Sequence, residues 1–163
     1  HRLEPVAPAG AGRPLVVGGV RLDHPMGPVG HSDGDALRHG VTDAILGALG
    51  EPDIGQLFPD TDPRHEAADS FVFLEEAVRR MRAAGLELGN LDAAVILERP
   101  KLSPVKERIR ENLARALGAP VSAVNVKGKT GEKVGPVGEG RAVEVHAVVL
   151  LIEASDQRSA TST

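Results

Sequence analysis

Six histidines, no cysteine and an abundance of carboxylates limit how this chain can handle a metal ion or a phosphate. Without thiolates, any metal must sit on imidazole nitrogen and carboxylate oxygen. His39 is the most informative imidazole. It shares a helical stripe with Asp35, Thr42 and Asp43, at i, i+4, i+7 and i+8 from Asp35, so a carboxylate stands one turn away on either side. Acidic neighbours so placed can orient a ligating ring. His31 lies just upstream and supports a site at the helix entry, whereas His24, His65 and His146 lack a comparable setting and read as structural or solvated. Glu132, after a Gly-rich turn, offers a hard oxygen suited to Mg²⁺. Asp53, Asp60 and Asp62 form an acidic loop that can cap its own turns or accept hydrogen bonds from a sugar or polyol, but cannot attract a phosphate directly.

Two further motifs fail on context. Gly30-His31-Ser32-Asp33-Gly34 fits the pattern of a hydrolase nucleophile, but that pattern needs a strand before it, and Pro25 and Pro28 stand there instead. The segment reads better as a helix entry, with Ser32 or Asp33 capping and free N–H groups facing an anion. Gly128-Lys129-Thr130 has the ending of a phosphate-binding loop, but Ala123 occupies the place of the first glycine.

The elements that must position these groups follow from pattern and composition. The chain has 163 residues and a formal net charge of −4, which argues against a nucleic-acid or membrane surface. Its aromatics are Phe58, Phe71 and Phe73 alone, too few to stack successive bases. An acidic protein with a phosphorylated ligand must find positive charge locally, and metal ions and helix N-termini are its natural sources. No apolar run reaches the ~20 residues of a membrane helix, and no secretory signal is visible. Residues 5–14 and 23–30 read as irregular, and residues 15–22 as a short strand whose Gly18 and Gly19 permit a bulge or close backbone approach. Helices are expected over 35–49, over 67–84 and from Ser103 to about Gly118, the last with Ser103 as N-cap and Pro104 as its first residue. Strands are expected at 91–97, 124–127 and 143–152, the last central or buried at an interface because both its faces are apolar apart from Glu144 and His146. Residues 1–153 make one domain, and 154–163 a frayed polar tail.

Five stretches, in order, resemble the 2-C-methyl-D-erythritol 2,4-cyclodiphosphate synthases of the non-mevalonate isoprenoid pathway: residues 1–4 (HRLE), 31–50 (HSDGDALRHGVTDAILGALG), 52–63 (PDIGQLFPDTDP), 89–104 (GNLDAAVILERPKLSP) and 124–133 (VNVKGKTGEK). The resemblance implies an α/β (α+β two-layer) protomer, a mixed sheet packed against helices and similar to the trimeric chorismate mutases. It implies a homotrimer with active sites between subunits. The implied reaction turns 4-diphosphocytidyl-2-C-methyl-D-erythritol 2-phosphate into the cyclic diphosphate and CMP. By motif, His39 and His1 would ligate Zn²⁺ or another divalent ion; the aspartate of the family's D-x-H pair would stand two residues before His1. His31 and Ser32 would contact phosphate, with His31 and Thr130 stabilising the transition state. Asp53, Ile54 and Gly55 would hold the erythritol, with Phe58, Pro59, Asp60, Thr61 and Asp62 beside the substrate. Pro100, Lys101, Leu102 and Ser103 would line the cytidine pocket, with backbone near Lys129 and Thr130 helping to hold the base. Glu132 would bind Mg²⁺ or Mn²⁺ across the diphosphate. The short 135–140 loop is similar to that of the plant-type enzymes.

The implied chemistry suits the inventory. The nucleophile is the substrate's own phosphate oxygen, so neither an activated Ser nor a strong base is needed. Orientation and charge neutralisation carry the reaction. The expected setting is the bacterial cytoplasm, or the plastid for a plant chain, with no nucleic acid or membrane as partner. The competing readings are a metal-free trimeric small-molecule binding module and a catalytically impaired relative.

Overall fold

The computed structural model describes residues 1–9, 13–29, 33–59 and 69–155. Runs rich in Val, Leu and Ile favour the pleated conformation, and two of them form long neighbouring strands, β5 (Leu86–Ile96) and β7 (Ala142–Glu153). With β1 (Arg2–Pro8), β4 (Met26–Pro28) and β6 (Val124–Lys129) they make a five-stranded mixed sheet in the order β4-β1-β7-β5-β6. The pair β5 and β6 is parallel and the other neighbours are antiparallel. Between those two parallel strands runs α4 (Lys106–Leu117), the crossover that a parallel pair requires. Leu91, Ala93 and Val95 of β5 and Val143 and Val145 of β7 point into the core. There they meet buried side chains of α1 (Ala36–Ala48), α3 (Ser70–Ala83) and α4, among them Leu37, Val41, Ile45, Leu74, Met81, Ile109 and Leu113. The architecture is the α+β sheet-and-helix arrangement expected.

The last strand is central, as its two apolar faces require. Its outward face carries Val148 and Leu150, 71% and 60% exposed.

Several local expectations are corrected. Residues 15–22 form no bulged strand but a hairpin of β2 (Val16–Val17) and β3 (Val20–Arg21). Gly18 and Gly19 make its turn with φ of 57° and 75°, the paired left-handed conformation that two-residue hairpin turns favour. β4 and residues 5–8 of β1 occupy stretches read as irregular; β4 is the sheet's edge strand, where the missing N–H of Pro28 is tolerated. α4 begins at Lys106, not Ser103: Val105 holds the cap position without a side-chain hydrogen bond, and residues 102–104 form a turn before it. Within the acidic loop lies α2 (Ile54–Leu57), capped by Asp53, whose carboxylate accepts from the Gln56 N–H at 2.9 Å. Among the described residues no helix is long and apolar enough to cross a membrane.

Candidate active site

The parallel pair β5 and β6 ends on the same side, the side on which parallel strands generally present ligand sites. Register pairs Val95 with Gly128 and Ile96 with Lys129, and the Leu97 N–H donates to the Lys129 carbonyl at 2.9 Å. The chain leaving β5 therefore runs beside the turn leaving β6. Between them opens a cavity of about 320 Å³ lined by Leu97, Glu98, Lys101, Leu102, Ser103, Lys106, Gly128, Lys129 and Thr130. Five expected residues, Lys101, Leu102, Ser103, Lys129 and Thr130, are brought together here, while half-buried Pro100 adjoins the lining without joining it. Three lysines against one carboxylate supply the local positive charge that an acidic chain needs for a phosphorylated ligand. Leu102 is buried and gives the cavity an apolar wall.

Just beyond, Thr130 and Glu132 form one unit. The Thr130 hydroxyl donates to Glu132 Oε1 at 2.9 Å and accepts from the Glu132 N–H at 3.3 Å. Glu132 and Lys133 have φ of 52° and 61°, a region that side-chain-bearing residues rarely adopt. The Glu132 carboxylate is exposed, a donor suited to a cation that keeps most of its waters and takes one or two carboxylates beside substrate phosphates.

The second group of candidates lies on α1 and is buried. His39 Nε2 is 2.7 Å from Ser70 Oγ, and that hydroxyl also bonds Asp33, whose other oxygen accepts the Ser70 N–H at 3.0 Å. With the serine proton directed to the carboxylate, the imidazole carries its proton on Nε2 and its lone pair on Nδ1. Burial, reinforced by the nearby Arg2 charge, lowers the His39 pKa to about 4, so the ring is neutral at pH 7. The expected orienting partners are corrected. Asp35 accepts the Gly18, Gly19 and Arg38 N–H groups at 2.9, 2.7 and 3.1 Å, and Asp43 accepts the Ile54 N–H at 3.0 Å. Burial pushes the Asp35 carboxyl up to about 6 against those donors.

The two histidines expected on one metal stand in different surroundings. His1 Nε2 lies 3.0 Å from Glu144 Oε1, and His146 Nε2 lies 2.8 Å from the same oxygen. His1, Glu144 and His146 form a group able to hold a metal ion, and His39 is not part of it. His146, read from sequence as structural or solvated, belongs to that group. The signal was available: Glu144 and His146 are two apart on a strand and so share a face. Glu98 and Lys106 were likewise missed, although a charge directly after the apolar run of β5 marks a strand end.

Asp53, Ile54 and Gly55 sit at the start of α2, outside the lysine-lined cavity. Phe58 and Pro59 border a different opening of about 1040 Å³, with Phe71, Arg79, Arg82 and Arg115. Phe58 packs its ring on Phe73, centroids 4.7 Å apart. His31, Ser32, Asp60, Thr61 and Asp62 lie outside the described residues.

The YgbB family model matches residues 1–152. A chloroplastic 2-C-methyl-D-erythritol 2,4-cyclodiphosphate synthase of Oryza sativa subsp. japonica is 59% identical over 152 residues, covering 93% of this chain and 66% of that protein. A synthase of the same name from Syntrophotalea carbinolica is 50% identical over 145 residues, covering 89% of this chain and 88% of that one. Among solved structures, IspF of Plasmodium falciparum in a CDP complex superposes with a TM-score of 0.82 at 36% identity, covering 94% of this chain and 93% of that chain. The chain spans 62–66% of the length of the chloroplastic relatives it matches.

Proposed function

Because this chain belongs to the YgbB family, we propose that it is a 2-C-methyl-D-erythritol 2,4-cyclodiphosphate synthase, converting 4-diphosphocytidyl-2-C-methyl-D-erythritol 2-phosphate into the cyclic diphosphate and CMP. The observation that carries this reading is the cavity where Lys101, Lys106 and Lys129 surround a space of about 320 Å³ beside the Thr130–Glu132 turn. The similarity to a CDP-bound structure supports a nucleotide there.

In this reading the buried Leu102 and the backbone at Gly128 and Thr130 hold the cytidine, with no aromatic ring in the cavity lining. The lysines draw in the diphosphate. An oxygen of the 2-phosphate attacks the β-phosphorus and forms the new P–O bond. The bond from the β-phosphorus to the oxygen bridging the α-phosphate breaks, and CMP leaves with that oxygen and its electron pair. Holding nucleophile and phosphorus in line supplies effective molarities of about 10⁵–10⁸ M in favourable intramolecular cases. The Thr130 hydroxyl, already a donor to an anionic oxygen, can turn to the charge that grows on the phosphoryl group. Mg²⁺ or Mn²⁺ on Glu132 would supply further neutralisation of the diphosphate.

Of the Zn²⁺ ligands, His39 offers the neutral imidazole this ion takes, whereas His1 is turned to Glu144. The described residues therefore do not bring His39 and His1 onto one Zn²⁺ ion, and no step here runs through that ion. His31 and Ser32 keep the phosphate-binding roles that the family motif implies, and Asp60, Thr61 and Asp62 their place beside the substrate.

The reading includes a homotrimer with shared sites. Two features support it. Val148, Leu150 and Ile152 leave an apolar strip on the sheet's outward face, and Asp53, Ile54 and Gly55, assigned to the erythritol, do not line the lysine cavity of their own chain. The test is to incubate the purified protein with the cytidylyl substrate and Mg²⁺, following products by ³¹P NMR and mass by sedimentation. CMP and the cyclic diphosphate should appear in equal amounts from a trimer. A folded protein that binds CDP without turning over substrate would favour the binding module or impaired relative instead.

A further inference from the structure

Glu98 is the acidic side chain in the lining of a cavity otherwise suited to anions, and its role there is not electrostatic attraction of a phosphate. Its Oε2 accepts the Gly131 N–H at 2.9 Å, across 33 positions of sequence. Gly131 stands between Thr130 and Glu132. We propose that Glu98 is a positioning residue for the reaction: it latches the turn after β6 in the one conformation that presents Thr130 and Glu132 to the diphosphate. This inference rests on the synthase reading of the same cavity.

The turn needs a latch because its backbone is unfavourable on its own. Left-handed φ at both Glu132 and Lys133 brings Cβ too close to the following carbonyl oxygen and is unfavourable for side chains of this kind. Such a conformation persists where the surroundings over-determine it. Three restraints do so here. The first is the Glu98 carboxylate on the Gly131 N–H, a charge-assisted bond stronger than a neutral one. The second is the helical turn α5 (Gly135–Gly138): a Cβ on Gly131 would lie 2.5 Å from the Gly138 nitrogen, and one on Gly138 would lie 2.5 Å from the Lys133 carbonyl carbon. The third is local, the Val134 N–H donating to the Gly131 carbonyl at 2.9 Å. Of these, only the Glu98 bond ties the turn to the strand that carries the other wall of the cavity. Glu98 stands two residues past the end of β5, so the latch fixes the distance between the lysine-bearing loop and the Thr130–Glu132 unit.

The chemistry separates this role from two simpler ones. If Glu98 mattered by its charge in the cavity, neutral Gln would behave like Ala. If it mattered only for folding, losses would follow stability and not the divalent ion. An acceptor oxygen is what the latch requires, and Gln retains one.

The experiment uses the full chain with CDP and Mg²⁺ as probes, comparing Glu98→Ala, Glu98→Gln and, as a control, Glu107→Gln, whose side chain pairs with Arg110 away from the cavity lining. CDP binding is measured by calorimetry across a Mg²⁺ series, amide exchange at Gly131 by NMR, and folding by thermal melts. Glu98→Ala should raise the Mg²⁺ concentration for half-maximal CDP binding by about 10–100-fold, the range seen when a ligand's supporting partner is lost. It should also speed Gly131 exchange, and Glu98→Gln should recover most of both effects. Wild-type Mg²⁺ dependence and Gly131 exchange in Glu98→Ala would overturn the latch, as would Glu98→Gln being as impaired as Glu98→Ala. A wild-type protein that binds no CDP would overturn the synthase reading, whereas Gly131 exchange in Glu98→Ala set against Glu98→Gln, read without any ligand, would then still decide whether the bond holds the turn.

Discussion

The N-terminal end of α1 and the turn after β6 are built from the same residue types and use them in opposite ways. At α1, Asp35, His39 and Ser70 are buried, and the Asp35 carboxylate, His39 Nε2 and the Ser70 hydroxyl are engaged by protein groups. At the β6 turn, Thr130 and Glu132 are exposed, bonded chiefly to each other, and held on a left-handed backbone. Burial raises the cost of any unmet polar group, so Asp35, with its three N–H donors, serves the fold. Exposure and strain leave the β6 turn free to exchange its internal bonds for those of a ligand. A dense polar motif thus marks where a chain is constrained, and only the packing tells whether the constraint is structural or chemical.

The sharpest break of that contrast is Asp35→Ala. It leaves three N–H groups without their acceptor at a fully buried site and should cost about 3–5 kcal/mol of unfolding free energy in urea. A loss below 1 kcal/mol would show that the cluster does not hold the fold. Glu132→Gln should do the reverse, leaving the urea midpoint in place while turnover falls roughly 100-fold, the scale for losing one charge-stabilising group. Equal losses of stability and turnover would erase the distinction.

The buried cluster also has a pH signature. Asp35 is raised from 3.8 to about 6, so the unfolded chain binds fewer protons in that window, and its contribution, full below pH 3.8, is lost as pH rises through 6. His39 is lowered from 6.5 to about 4, so its contribution is full above pH 6.5 and is lost as pH falls through 4. Between about pH 4 and 6 the two slopes oppose, each worth at most about 1.4 kcal/mol per pH unit. Asp35→Asn removes the opposing member. Its stability should then climb relative to wild type from pH 4.5 to 6, and parallel curves for the two proteins would refute the assignment. The smallest effect belongs to His1→Ala. Its contact with Glu144 is exposed, and its loss should move the unfolding free energy by less than about 1 kcal/mol.

The sequence made much of this legible. The α1 stripe and the central placement of residues 143–152 follow from spacing and composition, while the cavity role of Lys101 to Ser103 comes from the ordered family motifs, which lead to a family that the chain matches over residues 1–152. Local misreadings came from punctuation residues. Gly18-Gly19 turns a hairpin where a bulge or close approach was expected, and Pro5, Pro8 and Pro28 sit in paired strands where loops were expected. Ser103-Pro104 resembles a helix start, yet the chain spends those residues on a turn that lines the cavity.

What the sequence determined by itself is the inventory: no thiolate, a neutral-capable imidazole on a polar helical stripe, carboxylates at set spacings, lysines near strand ends. What tertiary structure decided is which of them meet. Asp35 reaches Gly18 and Gly19 instead of His39, Ser70, itself held by Asp33, takes the imidazole, Glu144 joins His1 to His146, and Glu98 finds Gly131. Helical and strand periods fix the face on which a side chain lies, but the partner on the opposite face comes from a distant segment. That pairing is set by how helices settle on the sheet, where burial leaves few polar groups unmet and each acceptor goes to the donor the packing brings within reach.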